Sequence, residues 1–178
     1  MKNITLKQYS ELPDASEYDA VLEHLNPINS FAGKSMDVNK MPYANVKYCI
    51  KQLGKVSNWQ MVQQLFEICF DADENAFWGA GVIEFYQARK YMIRELERVV
   101  TTEYKAMASP NSDEHLWLMA GADRLRPYSD TLPLVNLAKQ FGMYPYDLGR
   151  KPYGEVFSLM VQVKVQGEVE MEYQKLKK

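Results

Sequence analysis

Between Gly81 and Ala108 no glycine or proline interrupts the chain, and Phe85, Met92, Ile93, Leu96, Val99, Val100 and Tyr104 recur at three- and four-residue intervals. That spacing keeps apolar side chains on one side of a helix. The stretch therefore reads as a single helix about 40 Å long at the standard rise per residue. A rod with one apolar side needs other helices against it. The expected fold is all-α, an irregular multi-helix bundle with one long central helix.

Start and stop signals divide the rest of the chain. Thr5-x-x-Gln8 and Ser57-x-x-Gln60 have the spacing at which a capping side chain and the residue three positions on satisfy each other's backbone amides. Each should open a helix. Asp14 or Ser16 can cap a helix over 17–25, in which Tyr18, Val21, Leu22 and Leu25 share a side, Asp19 and Glu23 face water, and Pro27 ends the run. Residues 26–40 mix Asn, Ser, Gly, Pro and Lys without periodicity and read as a surface loop. Pro42 suits the first turn of a helix with Val46, Ile50 and Leu53 on one side. Trp59, Val62, Leu65, Phe66, Cys69 and Phe70 mark the next one.

After the long helix, Ser109-Pro110-Asn111 is a break and Asp113 starts a short helix over 115–119. Thr131 and Pro133 open another that ends at Phe141-Gly142, where glycine supplies a left-handed terminal residue. The last segment is ambiguous. Phe157, Val161, Val165, Val169 and Tyr173 recur every fourth residue, yet Val161, Val163 and Val165, then Val169, Met171 and Tyr173, also alternate around Gln166-Gly167. A helix begun by Pro152 is favoured because Gln, Lys and Glu fill the polar positions; a small C-terminal β-hairpin is the alternative. Residues 1–178 form one helical domain in this reading, with 109–112 as a boundary between sub-lobes 1–108 and 113–178.

Composition then narrows the function. With 178 residues, 47% hydrophobic and 25% charged, the chain can build a core without staples. A formal charge of -2 supplies no surplus cation for a phosphate backbone, so general nucleic-acid binding is disfavoured. Cys49 and Cys69 form no C-x-x-C pair and follow no secretory leader, which suggests a reducing, intracellular setting. No apolar run approaches the roughly 20 residues of a membrane span.

Motifs for chemistry are incomplete. Gly33-Lys34-Ser35 ends like a phosphate-binding loop, but Ile28 occupies the place of the first glycine and a helix, not a strand, precedes it. Asp71-x-Asp73-x-Asn75 begins like a calcium loop, but Ala76 and Val82 replace the required Gly and Glu. Its carboxylates suit the start of the following helix. His24 and His115 lie on different elements without a second metal ligand at a zinc spacing. Glu168, Glu170 and Glu172 read as a solvated face with Lys164 and Lys175 within a turn. The two cysteines read as small core hydrophobes. No catalytic residue, cofactor or metal site is expected, and the chain reads as a non-enzyme.

Two features remain. Residues 131–150 resemble a DNA-binding helix-turn-helix, with Ala138 at the helix contact, Gly142 at the turn and Leu137, Phe141, Met143 and Leu148 as apolar frame. Its second helix would carry Tyr146, Asp147 and Arg150 and meet Gly149 and Pro152 at once. The other feature is aromatic load at loops and corners: Trp78 beside Gly79, Tyr128 after Pro127, Tyr144 and Tyr146 around Pro145, and Tyr153 after Pro152. Such groups are enriched at protein interfaces, and these residues are the candidate interface. Met36, Met41 and Met143 would add adaptable contact surface.

The runs Trp117-Leu118-Met119-Ala120-Gly121-Ala122-Asp123-Arg124-Leu125, Leu137-Ala138-Lys139-Gln140-Phe141-Gly142-Met143-Tyr144-Pro145 and Tyr153-Gly154-Glu155-Val156-Phe157 resemble small helical assembly proteins of tailed bacteriophages, the tail assembly chaperones and virion adaptors. The resemblance covers about a third of the chain. It implies a non-enzymatic protein that binds other virion or tail proteins, or itself in a ring, in the host cytoplasm during assembly and then in the virion. A helix-turn-helix regulator is the alternative expectation.

Overall fold

In chain order the helices are α1 (Leu6–Ser10), α2 (Ser16–Leu22), α3 (Tyr43–Leu53), α4 (Trp59–Phe70), α5 (Glu74–Gly79), α6 (Val82–Met107), α7 (Glu114–Met119), a 3-10 segment (Ala122–Tyr128), α8 (Leu132–Phe141), α9 (Pro145–Gly149) and α10 (Tyr153–Leu176). They come from a computed structural model that describes residues 4–22, 24–108, 114–129 and 131–177. The break at Ser109-Pro110-Asn111, the boundary at 109–112, the Asp113 cap and the exposure expected of Glu23 and of the Asp19 side chain lie outside what is described. Among the described residues the only β pairings are isolated bridges, such as Pro42 with Pro152. The fold is all-α.

The long helix forms as its spacing requires. Val82, Phe85, Ala88, Met92, Leu96 and Val99 are its buried residues, three or four apart. α10 is a continuous helix, so the hairpin alternative is set aside. Gln166-Gly167 lies inside it, and the four-residue recurrence, not the two-residue one, is the period the backbone follows.

The chain divides into two compact units. The first comprises Met1–Val38 and Tyr48–Val99, the second Asn39–Lys47 and Val100–Lys178. The division therefore falls within α3 and α6, whereas the sequence suggested sub-lobes 1–108 and 113–178. A helix with uninterrupted periodicity carries no local mark of where its neighbours change.

The first unit is built on aromatic rings. Phe66 lies 4.6 Å from Phe31, 5.4 Å from Phe70, 5.5 Å from Phe77 and 4.9 Å from Phe85, centroid to centroid. The 26–40 loop is exposed over most of its length, but Phe31, Met36 and Val38 are buried and anchor it in the core, which corrects the reading of Met36 as contact surface. Three anchors spaced without period leave no helical or strand signature, yet they bind the loop to the core. The loop's turn closes through Phe31 N–H to the Lys34 carbonyl at 2.8 Å and the reverse bond at 2.9 Å, with Ala32 and Gly33 at positive φ.

The helix caps are local chemistry. Thr5 and Gln8 make the anticipated reciprocal bonds. At α4 the cap is Asn58, whose side chain accepts from the Met61 N–H at 2.9 Å, while the Ser57 hydroxyl turns to the Met61 sulfur. The Ser57-Gln60 box is thus replaced by the neighbouring residue, a cap of equal or better propensity. Asp73 caps α5 by accepting from Ala76 N–H at 2.8 Å, which accounts for the acidic cluster.

In the second unit the start of α10 is pinned to residues 39–43. Tyr153 N–H donates to the Met41 carbonyl at 2.7 Å and Tyr43 N–H to the Lys151 carbonyl at 2.9 Å. A Cβ at position 154 would come within 3.3 Å of the Asn39 carbonyl oxygen, a tight contact that a larger residue could make only if residue 39 gave way by a few tenths of an ångström. Lys164 donates to the Ala106 and Ala108 carbonyls at 2.9 and 2.6 Å, satisfying acceptors that the end of α6 leaves open. Leu137, Ala138 and Leu148 bury the α8–α9 corner, and Gly142 turns it at φ 61°.

Candidate interaction surface

The five aromatic residues singled out by the sequence have different fates. Tyr153 is only 3% exposed and cannot serve as an interface residue in this fold. Its ring stacks between Tyr43 at 5.9 Å and Phe157 at 5.7 Å, and its hydroxyl donates to Glu103 at 3.1 Å. The backbone pairing with Met41 draws the first turn of α10 inward, and a position after proline carried no sign of that tertiary contact.

Trp78 is half-buried on α5, 5.1 Å from Phe77 and 6.0 Å from Trp59. It also lines an open cleft of about 570 Å³ with Thr5, Ser10, Glu74 and Asn75. Tyr128, Tyr144 and Tyr146 are 59%, 69% and 63% exposed. Tyr144 and Tyr146 flank Pro145 at the α8–α9 corner, where the Arg150 guanidinium lies 5.3 Å from the Tyr146 ring centre. Phe141 and Met143, expected in the apolar frame of that corner, are exposed beside them. Met41 is buried, which corrects its reading as contact surface.

α9 spans only five residues and carries Asp147 in its first turn. At about 1.5 Å per residue it is shorter than the major groove is wide, and its aspartate opposes phosphate. The helix-turn-helix resemblance of 131–150 reduces in space to a tight helical corner.

A further apolar surface escaped the sequence reading. α7 and the 3-10 segment expose Leu116, Leu118, Met119, Leu125 and Tyr128, each between 41% and 73% accessible. None of the described side chains over 115–129 is buried. Gly121 at φ 85° separates the two short elements, and Arg126 pairs with Asp123 at 2.9 Å on the polar side. A signal was available: Leu116-Trp117-Leu118-Met119 is apolar at every position. A one-sided helix cannot bury such a run, because consecutive residues point about 100° apart.

Cys49 and Cys69 are buried free thiols with sulfurs 3.7 Å apart. The hydrogen bond to Cys49, reinforced by burial, pushes the Cys69 thiol above its ordinary pKa. Lys34 is engaged by the Asp71 carboxylate, the residue that ends α4 in the left-handed region. Among the described residues no three His, Cys, Asp or Glu side chains gather as a metal site, and no helix is long and apolar enough to cross a membrane. No protein-family model, curated protein or solved structure matches the chain.

Proposed function

We propose that this chain is a non-enzymatic protein–protein interaction module, a structural or assembly component of a tailed-phage virion, tail or connector. The observation that carries the interaction reading is the row Leu116, Leu118, Met119, Leu125 and Tyr128 on a segment that buries no described side chain of its own. Large apolar groups held in water at this density mark a surface that another protein covers. The exposed Phe141, Met143, Tyr144 and Tyr146 at the α8–α9 corner enlarge the supply of such groups in the same unit. The likeness of 117–125, 137–145 and 153–157 to phage assembly proteins supports virion or tail proteins, or a ring of this chain, as the partners. Work of this kind is done by burial: at about 25 cal/mol per Å², a few aromatic and aliphatic anchors supply the needed free energy.

The test is a size-exclusion mass measurement of the chain mixed with each candidate virion and tail protein. A complex should form with at least one of them, and Leu116→Asp with Met119→Lys should abolish it while the helical circular dichroism is retained. A complex indifferent to those substitutions overturns the assignment of this surface. Salt-sensitive binding of the chain to duplex DNA, weakened by substitution at Arg150 or Lys151, would instead favour the regulator reading of 131–150.

A further inference from the structure

We propose that Cys49 and Cys69 form a redox-modification site, a dithiol that a low-molecular-weight disulfide oxidises to a bond between the second half of α3 and the end of α4. Both residues belong to the first unit, whereas the partner surface proposed above lies in the second, so the two readings stand or fall separately.

These are the only two cysteines of the chain, and the fold brings them to one spot. Cys49 is 0% exposed on α3 and Cys69 5% exposed on α4, 20 positions later. The Cys69 thiol donates to the Cys49 sulfur at 3.7 Å. Cysteines that serve only as small core hydrophobes need to be covered, but nothing requires them to touch each other. Sulfur against sulfur is the arrangement from which a disulfide forms. That bond is about 2.04 Å long, so each sulfur has to advance by about 0.8 Å. A turn of about 30° around a Cα–Cβ bond gives a displacement of that size and stays at the edge of a staggered well. The surroundings also select the product. Leu65, Phe66 and Phe70 are buried beside Cys69 on α4, and a lasting adduct would force extra volume into that core. The closed bond only removes two hydrogens.

The exchange balances without any group beyond the reagent. One cysteine, as thiolate, attacks a reagent sulfur; the reagent's S–S bond breaks and its first thiolate leaves. The second cysteine loses its proton and attacks the protein sulfur of the mixed disulfide, which releases the second reagent thiolate. Two electrons pass from the protein sulfurs to the reagent sulfurs, and the two cysteine protons end on the two reagent thiols. The hydrogen bond to Cys49, with burial, holds the Cys69 proton, so exchange quickens as pH rises. Closing a loop of this length restricts the unfolded chain and should shift the folding equilibrium by roughly a hundredfold.

The test treats the full, folded chain with oxidised glutathione at about pH 8.5, followed by intact-mass measurement and peptide mapping. The expected product is a monomer lighter by about 2 Da, cross-linked between positions 49 and 69 and reopened by dithiothreitol. In graded mixtures of reduced and oxidised glutathione the folded chain should close at roughly a hundredfold lower proportion of the oxidant than the chain unfolded in urea. The oxidised form should melt about 6–12 °C above the dithiol form. Cys49→Ala leaves one thiol, so both the lighter product and the gain in melting temperature should vanish. The comparison of the two forms of the unsubstituted chain does not depend on that variant folding. A folded chain that stays a dithiol in mixtures that close the unfolded one, a stable glutathione adduct in place of the cross-link, or an oxidised form that melts below the reduced form would overturn the proposal.

Discussion

Tyr153 donates its hydroxyl to one oxygen of the Glu103 carboxylate, and Lys47 donates to the other. Both oxygens of this half-buried acid are therefore met by groups from two other segments of the second unit. Tyr153→Phe keeps the stack with Tyr43 and Phe157 and leaves Lys47 in place, so the loss should be about 0.5–1.5 kcal/mol. Tyr153→Ala removes the ring as well and should lose about 3–5 kcal/mol. Urea unfolding of the two variants separates the hydrogen bond from the packing.

Phe31 and Phe66 provide a second check. If the 26–40 loop is anchored in the core, Phe31→Ala should destabilise the protein as strongly as Phe66→Ala, each by about 3–5 kcal/mol. An unanchored loop would tolerate the first change to within about 0.5 kcal/mol. The midpoint of thermal or urea unfolding decides.

The cap of α4 makes a sharper distinction between neighbours. Asn58→Ala removes the acceptor of the Met61 N–H and should lose about 1 kcal/mol. Ser57→Ala removes only a contact with the Met61 sulfur and should fall within about 0.5 kcal/mol of the parent. Equal losses at both positions would contradict the assigned cap.

Cys69 sets a pH dependence. Its thiol ionises at higher pH in the folded chain than the ordinary 9.0. Above 9.0 the unfolded chain releases this proton while the folded chain keeps it, so stability is full below that pH and declines as pH rises. The contribution of one such group is up to about 1.4 kcal/mol per pH unit. Cys69→Ala should remove about 1.4 kcal/mol in total from the decline measured between about pH 8 and 10; an unchanged slope would refute the shift.

How much was legible depended on how far the cause lay along the chain. Thr5 and Gln8 are three residues apart, and their reciprocal cap was readable because both partners stand in one short string. The choice of Asn58 over Ser57 was not, since both are good caps and only the entering backbone decides which side chain reaches Met61. The exposed run on α7 was present in the letters Leu116 to Met119, but a rule that looks for aromatic residues beside proline and glycine passes over it. Among such aromatic residues the rule worked unevenly. Tyr128, Tyr144 and Tyr146 are exposed, whereas Tyr153 is drawn inward by a backbone bond to Met41, more than a hundred residues earlier.

Side-chain spacing and backbone freedom within a few residues were enough to dictate the all-α class, the length of α6 and the glycine turn at Gly142, and to favour a helix over a hairpin for α10; Val100 and Tyr104, which the spacing placed on the apolar side of α6, are exposed. Contacts between distant segments decided the rest: that α3 and α6 each contribute to both units, and that Phe31, Met36 and Val38 anchor a loop in the core. Those outcomes depend on which surfaces meet. A helical period specifies a face, but burial is settled only by what packs against it.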